Sequence, residues 1–452
     1  MEKQLELEKR YLFTNKDLRR LILPLILEQL LAVLVGMADT VMVASVGESA
    51  VSGVSLVDSI NILLINIFAA LATGGAVVAG QYLGRKDQEK AVEAGEQLLV
   101  FVVFAALLIM TLGYLGKNFI LDVLFGKIAP DVRMHANIYL LIVFASIPFI
   151  ALYNSGAALF RTMGNSQVTL KISVLMNVIN VVGNAVLIYG FGLGAAGAAA
   201  STLLSRAVGA VIITILLTNE DLLIHIRKPF KYKFNKDLVR KILFLGIPNG
   251  VENSMFQLGK ILLLSVVSGF GTASITANAV GNSVTAFGIL PGAAMGLALV
   301  SVVSRCVGAR EYDQVRYYTK KLLKYAYIAE IAVNGLILLS LPLIIKMYGL
   351  SPETAKMAKE INIVHGVFAC LIWPLAFTLP NTLRAANDVR FTMLVGVGSM
   401  WTFRIGSSIL LATTFGLGVL GIWWGMIIDW VVRSTFFVLR YKSNRWHKHH
   451  LV

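Results

Sequence analysis

The stretch of sequence that decides the fold is "LPLILEQLLAVLVGMADTVMVASVGESAVSG", which runs from Leu23 to Gly53. It is apolar enough to lie in lipid, yet it contains two carboxylates, Glu28 and Asp39. An ionised group at the centre of a bilayer costs roughly 2.5 to 3.5 kcal/mol on translocon scales, so such groups persist where a function or a partner holds them. The segment therefore predicts a transmembrane helix whose acids have a function or a partner.

The composition of the whole chain predicts an all-α integral membrane protein. Apolar residues make up 57% of the 452 residues and charged residues only 14%. Uncharged runs such as residues 98–116 are about as long as the roughly 20 residues that cross a 30 Å hydrocarbon core. Counting such runs along the chain predicts twelve transmembrane helices.

The distribution of positive charge predicts the orientation. If the N-terminus is inside, most of the 40 Lys and Arg residues fall in the terminal segments and the loops on that same side. Cytoplasmic loops carry such an excess, so we expect both termini in the cytoplasm and a multi-pass protein of the plasma (inner) membrane. The net charge of +15 then requires no nucleic-acid partner. The opposite loops hold only Lys117, Lys127, Arg133, Lys346, Lys356 and Lys359.

Other function classes have no support in the sequence. The first twenty residues are polar, and the apolar run after them is full length, so no cleavable signal peptide is expected. Cys306 and Cys370, the two cysteines, lie in no metal-ligand or CxxC spacing. There is no phosphate-binding loop and no nucleophile elbow. We therefore expect no enzymatic activity and no cofactor other than a coupling ion.

An internal repeat divides the chain into two halves. Adding 224 to the residue numbers superposes the first half on the second in the same orientation, which predicts two six-helix lobes in a parallel repeat, with a substrate cleft between them. The matched residues include Pro24 with Pro248, Glu28 with Glu252, Gly84 with Gly308 and, after a shift of one residue, Arg161 with Arg384.

The repeat and the charge pattern together predict the domain boundaries. The divisions are a cytoplasmic N-terminal segment (1–17), an N-lobe with helices 1 to 6 (18–217), a cytoplasmic linker (218–240), a C-lobe with helices 7 to 12 (241–440) and a cytoplasmic tail (441–452).

Each lobe carries a glutamate one turn after a proline in its first helix. Glu28 and Glu252 are predicted to face the cleft and attract a cationic substrate, with Pro24 and Pro248 as hinges. The alternative is that both glutamates cap or pair near the cytosolic interface. Three further candidates for the cleft follow Glu252 on the same helix: Phe256, Gln257 and Lys260.

Asp39 breaks the repeat, because Leu263 stands at the matching position. Asp39, Asn184 and Thr202 each lie about seven residues, or roughly 10 Å, below the external ends of their helices, and Asn180 lies one turn deeper. A carboxylate, two amides and a hydroxyl are oxygen ligands that suit a hard cation such as sodium, and a desolvated aspartate can also carry a proton. The alternative is polar contact between helices, which is common for Asn and Thr in membranes.

Other charged residues within the helices are interpreted as structural pairs near helix ends. These are Asp58, Arg206, Glu330, Arg404, Asp429 and Arg433.

Four sequence features together resemble the multidrug and toxic compound extrusion (MATE) family, over about residues 18 to 440. They are "ADTVMVASVG" after a proline, "GQYLGRKD", "FRTMGNS" and "NVINVVGNAVLIYGFGLGAAGAAASTLLS". The resemblance implies two six-helix lobes that open alternately to the two sides, with export of organic cations in exchange for sodium or protons.

The resemblance also implies site residues. Asp39, Asn180, Asn184 and Thr202 match the cation site in the first lobe of prokaryotic members, and Tyr139 matches a tyrosine near it. The family often has an aspartate at the position of Asn184, so the coupling ion stays open. Phe256 stands where several branches have a glutamate, and helix 10 has no acid, so the resemblance implies no second cation site in the C-lobe.

The sequence therefore predicts a secondary active antiporter that exports small cationic amphipathic molecules and works as a monomer among membrane lipids. The first alternative is a flippase or exporter of a lipid-linked or other non-drug substrate, and the second is a channel or scaffold. A flippase would be expected to have a cationic cleft and extra helices, and no filter-like motif supports a channel.

Overall fold

A computed structural model describes residues 11–227, 232–448 and 451. Across these residues the chain is helical, without a β-strand. In lipid the backbone groups of a spanning segment must be satisfied internally, and helices achieve this within a single apolar run.

The helices of the first half follow one another with short connections. They are α1 (Asn15–Ala44), α2 (Glu48–Gly84), α3 (Gln88–Leu115), α4 (Lys117–Phe119), α5 (Pro130–Ala145), α6 (Ile147–Thr162), α7 (Ser166–Asn184) and α8 (Gly194–Leu217). Two π-helical segments, Ile120–Leu124 and Ala185–Gly190, extend α4 and α7.

The second half has the same character. Its helices are α9 (Lys236–Ser268), α10 (Thr272–Gly288), α11 (Leu290–Gly308), α12 (Tyr312–Met347), α13 (Pro352–Trp373), α14 (Pro380–Ala385), α15 (Val389–Gly398), α16 (Gly406–Ile409) and α17 (Gly418–Lys442). The π-helical segments Pro374–Thr378, Ser399–Ile405 and Leu410–Thr414 join α13 to α14, α15 to α16, and α16 to the loop before α17.

Ten helical stretches of the described residues are long and apolar enough to cross a membrane. The number is eleven if α5 and α6, which meet at a bend of 44°, form one broken span. Pro148 lies in the first turn of α6, where its ring is tolerated and the preceding backbone is free to bend. The chain is therefore a multi-pass membrane protein, and α9, which carries Glu252 and Lys260, is not among the ten stretches.

The backbone turns between the helices recur at the repeat offset. Gly47 and Gly271, 224 residues apart, both have positive φ immediately before a helix. Two residues other than glycine repeat in the same way: Lys86 and Arg310, also 224 residues apart, have φ of 61° and 60°. A residue with a Cβ adopts this region uncommonly, so its recurrence marks equivalent turns in the two halves. Gly192 and Gly416 repeat in the same way.

The chain divides into two compact units. One is Asn15–Gly250, and the other is Val251–Val452 together with the chain up to Thr14. From here on the names N-lobe and C-lobe refer to these two units and replace the predicted bounds. The expected linker therefore groups with the N-lobe, and α9 begins at Lys236, five residues before the predicted start of the C-lobe.

Contacts between the linker and α3 account for this grouping. The Arg227 guanidinium makes an ion pair with Glu96, which is buried. The Gln97 amide donates to the Lys233 carbonyl at 2.6 Å, and its oxygen accepts from the Tyr232 hydroxyl at 2.9 Å. The pair raises the pKa of Arg227 above its usual value, because the carboxylate stabilises the charged form.

Close packing in the N-lobe depends on small residues. At Gly53 on α2, a Cβ would lie 2.8 Å from backbone atoms of Val132 and Ala136 on α5, so only glycine permits this approach. Membrane helices associate through such small-residue contacts because lipid gives no hydrophobic drive between them. The C-lobe core instead contains large aromatic side chains, among them Trp373, Trp423 and Trp430.

Candidate functional site

Asp39 on α1 lies among polar side chains of α7 and α8 in the N-lobe. The Asn184 amide donates to Asp39 Oδ1. The Asn180 amide, oriented according to its partners, donates to the same oxygen at 2.7 Å and accepts from the Thr202 hydroxyl at 3.3 Å. The structure thus brings together four side chains that the sequence placed at similar depths in the membrane. We call them the Asp39 cluster: Asp39, Asn180, Asn184 and Thr202.

The Asp39 cluster is partly closed to solvent. Asn184 is 1% exposed and Asn180 is 6% exposed, whereas Asp39 and Thr202 are half-buried. Within the part of the chain that the structure describes, no basic side chain lies within ion-pair distance of Asp39. The direct contacts of its carboxylate are therefore amide donors and not a basic side chain.

The donor set fits a cation. The buried Asn184 Oδ1 has no hydrogen-bond partner among the described residues, whereas the amide nitrogen of the same side chain donates to Asp39. An orphaned amide oxygen next to a carboxylate provides the hard oxygen ligands that sodium prefers. Asp39, Asn180, Asn184 and Thr202 could hold such an ion, and Asp39 alone could hold a proton in its place.

Tyr139 does not contact Asp39 directly. Its hydroxyl donates to Asp58 Oδ1 on α2 at 2.9 Å, and the tyrosine is 5% exposed. Asp58 and Arg206 act electrostatically on Asp39, so the tyrosine belongs to a second group that adjoins the first. Among the described residues Tyr139 makes no contact with the Asp39 cluster, and its role at the site stays a prediction.

Arg206 completes this second group. Its guanidinium donates to Ser146 Oγ at 2.8 Å and to Asn61 Oδ1 at 3.2 Å, and Asn61 donates to Asp58 at 3.5 Å. Asp58 and Arg206 are among the six residues interpreted as members of structural pairs, but across the described residues neither forms an ion pair. The sequence could have predicted that Arg206 lies near Asp39, because Arg206 follows Thr202 by one helical turn.

Glu28 is buried and ion-paired. Its Oε1 lies 2.6 Å from Arg161 Nη2 on α6, and its Oε2 accepts from the Thr169 hydroxyl on α7 at 3.0 Å. The carboxylate is 7% exposed. These contacts agree with the second interpretation of the sequence, in which the glutamate has a pairing role.

Glu252 repeats this arrangement in the C-lobe. Its Oε1 lies 2.8 Å from Arg384 Nη2 and 3.7 Å from Arg433 Nη1. Arg161 and Arg384 are the arginines that the repeat matches, so the two lobes contain equivalent glutamate–arginine pairs. Attraction of a substrate by either glutamate stays a prediction, and in this conformation both carboxylates are engaged by arginine.

The other cleft candidates lie in a basic part of the C-lobe. The Phe256 ring lies 5.2 Å from the Arg404 guanidinium carbon and 5.3 Å from that of Arg433. Gln257 is half-buried and Lys260 is exposed. In the described residues Lys260 forms no ion pair, and its role in a cleft stays a prediction.

The remaining predicted pairs have different outcomes. Asp429 pairs with Arg433 at 2.9 Å and lies 3.9 Å from Arg404. Glu330 on α12 is fully buried, and neither of its carboxylate oxygens has a hydrogen-bond partner among the described residues. The interpretation as a structural pair therefore holds for Asp429 and not for Glu330.

The two hinge candidates lie inside long helices. Pro24 lies within α1 and Pro248 within α9. A proline in a helix interior removes a backbone hydrogen bond and weakens the helix at that point. Their role as hinges stays a prediction.

Comparison with known proteins places these features in a family. The MatE family model matches residues 24–186 and again residues 248–410. YisQ of Bacillus subtilis, described as an uncharacterised transporter, is 27% identical over 432 residues, covering 94% of this chain and 93% of YisQ. The probable multidrug resistance protein NorM of Thermotoga maritima is 24% identical over 441 residues, covering 96% of this chain and 93% of NorM.

The fold agrees with the same family. A crystal structure of a MATE protein in the straight conformation matches with a TM-score of 0.89 at 21% identity, covering 96% of this chain and 97% of that chain. A crystal structure of a MATE protein in the bent conformation matches with a TM-score of 0.86 at 21% identity, covering 96% of each chain.

Proposed function

The chain belongs to the MatE family of membrane transporters, and from this premise we propose that it is a secondary active multidrug efflux transporter. It would export small cationic amphipathic molecules in exchange for a sodium ion or a proton by alternating access of its two lobes. The observation that carries the proposal is the Asp39 cluster, an unpaired carboxylate held by amides inside a membrane-spanning lobe.

The proposal includes twelve spans in the plasma membrane. Beyond the ten apolar stretches, α5 with α6 would form one span and α9 would form another despite its charges. Both termini would then lie on the cytoplasmic side, as the excess of Lys and Arg in the alternate loops favours. A single chain of two lobes would work as a monomer surrounded by lipid.

Coupling would depend on the occupancy of Asp39. When Asp39 is ionised and unoccupied, a charge lies in an apolar helix without a basic partner, which is unfavourable. A bound sodium ion or proton removes that charge, so the two occupancies favour different arrangements of α1 against α7 and α8. Pro24 lies within α1, where the helix can bend most easily.

The gradient of the coupling ion supplies the energy for export. Exchange of one inward monovalent cation for one outward monovalent cation moves no net charge, so the concentration gradient of the ion does the work. Because each 1.4 kcal/mol is a factor of ten, a tenfold ion gradient supports a substrate gradient of up to about tenfold.

The proposal is tested with the full chain reconstituted in liposomes. A sodium gradient and a proton gradient are imposed separately, and ethidium movement is followed by fluorescence for the wild type and for Asp39→Asn. We expect one gradient to drive ethidium in the wild type, and the variant to lose at least about nine-tenths of that rate. Asp122→Asn, the same change at an exposed acid outside the cluster, serves as the control and should match the wild type.

The same assay separates the alternative function. A flippase for a lipid-linked substrate would leave ethidium unmoved under both gradients, and Asp39→Asn would then behave as the wild type does. That result would overturn the proposed drug efflux.

A further inference from the structure

The C-lobe has a counterpart of the Asp39 cluster with the opposite charge. The repeat offset of 224 is preserved in the packing: a Cβ at Gly197 would contact Leu187, and a Cβ at Gly421 would contact Leu411. At this offset Leu263 stands for Asp39. The other positions are Arg404 for Asn180, Ser408 for Asn184 and Met426 for Thr202. These four positions of the C-lobe therefore include no carboxylate, and an arginine stands in place of an amide.

Arg404 is a buried cation that is incompletely paired. Its side chain is 11% exposed, and its Nη1 lies 3.9 Å from Asp429 Oδ2. Asp429 is already engaged by Arg433 at 2.9 Å and by the hydroxyl of Ser399. Arg404 Nε has no hydrogen-bond partner among the described residues. The guanidinium therefore keeps a donor free beside the Phe256 ring.

Lys260 adds a second cation to the same place. It follows Phe256 by one turn on α9, so the two side chains share a face of the helix. Arg404 lies against the same Phe256 ring, with its guanidinium carbon 5.2 Å from the ring centre. In the described part of the chain Lys260 forms no ion pair, and it is exposed.

The depth of Lys260 excludes a lipid headgroup as its usual partner. α9 ends at Ser268, eight residues beyond Lys260, which is about 12 Å at 1.5 Å per residue. An extended lysine side chain spans only about half of that distance, so snorkelling to the interface is incomplete. An ammonium group at this depth requires water or an anion.

We propose that Lys260 and Arg404 form an anion-binding site that takes the carboxylate of a transported molecule, with the Phe256 ring against the apolar part of that molecule. The site deepens the proposed efflux function and rests on it. It adds zwitterions, in which a carboxylate accompanies the positive charge, to the proposed class of cationic amphipathic substrates.

The acids of the C-lobe do not remove this positive charge. Glu252 and Asp429 lie near these residues, and they are shared among Arg384, Arg433 and Arg404. Lys260 is in excess of these pairs. A carboxylate suits two such cations, since each N–H then meets a charged acceptor.

The test uses a matched pair of dyes, tetramethylrhodamine, which has a free carboxylate, and its methyl ester. Binding to the purified full chain in phosphatidylcholine nanodiscs is measured by fluorescence anisotropy. We expect the wild type to bind the acid at least about tenfold more tightly than the ester. Lys260→Gln should lose most of this preference and leave the ester affinity within about twofold.

Two further variants make the result specific. Lys260→Arg should retain the preference for the acid, because the positive charge is kept. Lys324→Gln, which removes an exposed lysine on α12, should bind both dyes as the wild type does.

Equal affinity of the wild type for the acid and the ester would overturn the anion site. An equal fall in the affinity for both dyes in Lys260→Gln would also overturn it. The efflux function is judged separately, by gradient-driven movement of the ester in liposomes. If a gradient drives the ester but the protein binds the acid and the ester equally, efflux stands and the anion site fails. If the acid is preferred but neither dye is driven by a gradient, efflux fails and the anion site stands as a binding site alone.

Discussion

The Asp39 carboxylate lies in an apolar helix, and its direct contacts are hydrogen bonds from amides and not ion pairs with basic side chains. Asn184 donates to it and also offers a buried oxygen that has no partner among the described residues. A hydrogen bond to a charged group contributes about 1.5 to 3 kcal/mol, so this amide has a measurable share in the affinity for a coupling cation.

Replacing Asn184 by alanine should change the affinity of the Asp39 cluster for its coupling ion, in a direction that depends on the ion. Asn184→Ala removes the free oxygen, and for sodium we expect the half-saturating concentration to rise about tenfold or more. It also removes the donor that stabilises ionised Asp39, so a coupling proton should be bound more tightly and the pH profile should move to higher pH. The measurement is the rate of dye transport in liposomes as a function of sodium concentration or pH. Asn177→Ala, the same change two turns earlier on α7, should leave the curve unchanged, and an equal shift in both variants would contradict the assignment.

The glutamate–arginine pairs lead to a prediction about stability. Glu28→Gln leaves Arg161 buried without its counter-charge, and breaking such a pair from one side costs roughly 3 to 5 kcal/mol. We expect a clear fall in the thermal unfolding midpoint of the purified protein in detergent. Glu252→Gln should lower the midpoint further, because Glu252 faces two arginines.

A double variant provides the control for this prediction. Glu28→Gln combined with Arg161→Gln removes both charges and should recover part of the lost stability. If the single and double variants unfold at the same temperature as the wild type, the pair contributes nothing to stability. Both glutamates would then again be candidates for binding the substrate.

At the scale of the helix, hydropathy predicts where segments lie but not how they bend or rotate. The apolar runs correspond to long helices because lipid requires the backbone to bond internally. The π-helical turns, such as Ala185–Gly190, depend on one extra residue that packing accommodates, and this leaves no mark in hydropathy.

Depth along a helix follows from its 1.5 Å rise, so the Asp39 cluster was predictable. The contact of Tyr139 with Asp58 depends on helix rotation and was not.

Close approach of α11 to α12 gives a prediction for the helices themselves. A Cβ at Gly292 would lie 2.1 Å from Glu330 Oε1 and 2.4 Å from the Trp373 ring. Both side chains are buried and cannot move freely, so Gly292→Ala should destabilise the protein by about 1 to 3 kcal/mol. Thermal unfolding in detergent measures the effect.

Gly335→Ala on α12 is the matched control, because nothing lies within 4 Å of its Cβ position. It should unfold at the wild-type temperature or slightly above it, since alanine favours the helix. A Gly292→Ala variant as stable as Gly335→Ala would show that α11 and α12 pack less closely than described.

At the scale of the molecule, one repeat has produced two lobes with equivalent backbones and different charges. The offset of 224 was visible in the sequence, and it recurs in the backbone turns at Gly47 and Gly271. Apart from Leu263, the residues that replace the Asp39 cluster in the C-lobe were not identified from the sequence, because Arg404 becomes informative only once its contact with Phe256 is known. The partners of the two glutamates likewise required helix packing, although the repeat had already matched Arg161 with Arg384.

The measurement that tests the central claim most directly is ion movement driven by substrate. Liposomes containing the full chain are loaded with a dye that the protein transports, and sodium and proton fluxes are recorded as the dye leaves. We predict a flux of one of these ions in the opposite direction for the wild type and none for Asp39→Asn. Dye movement without either flux, or the same flux in the variant, would contradict coupling at Asp39.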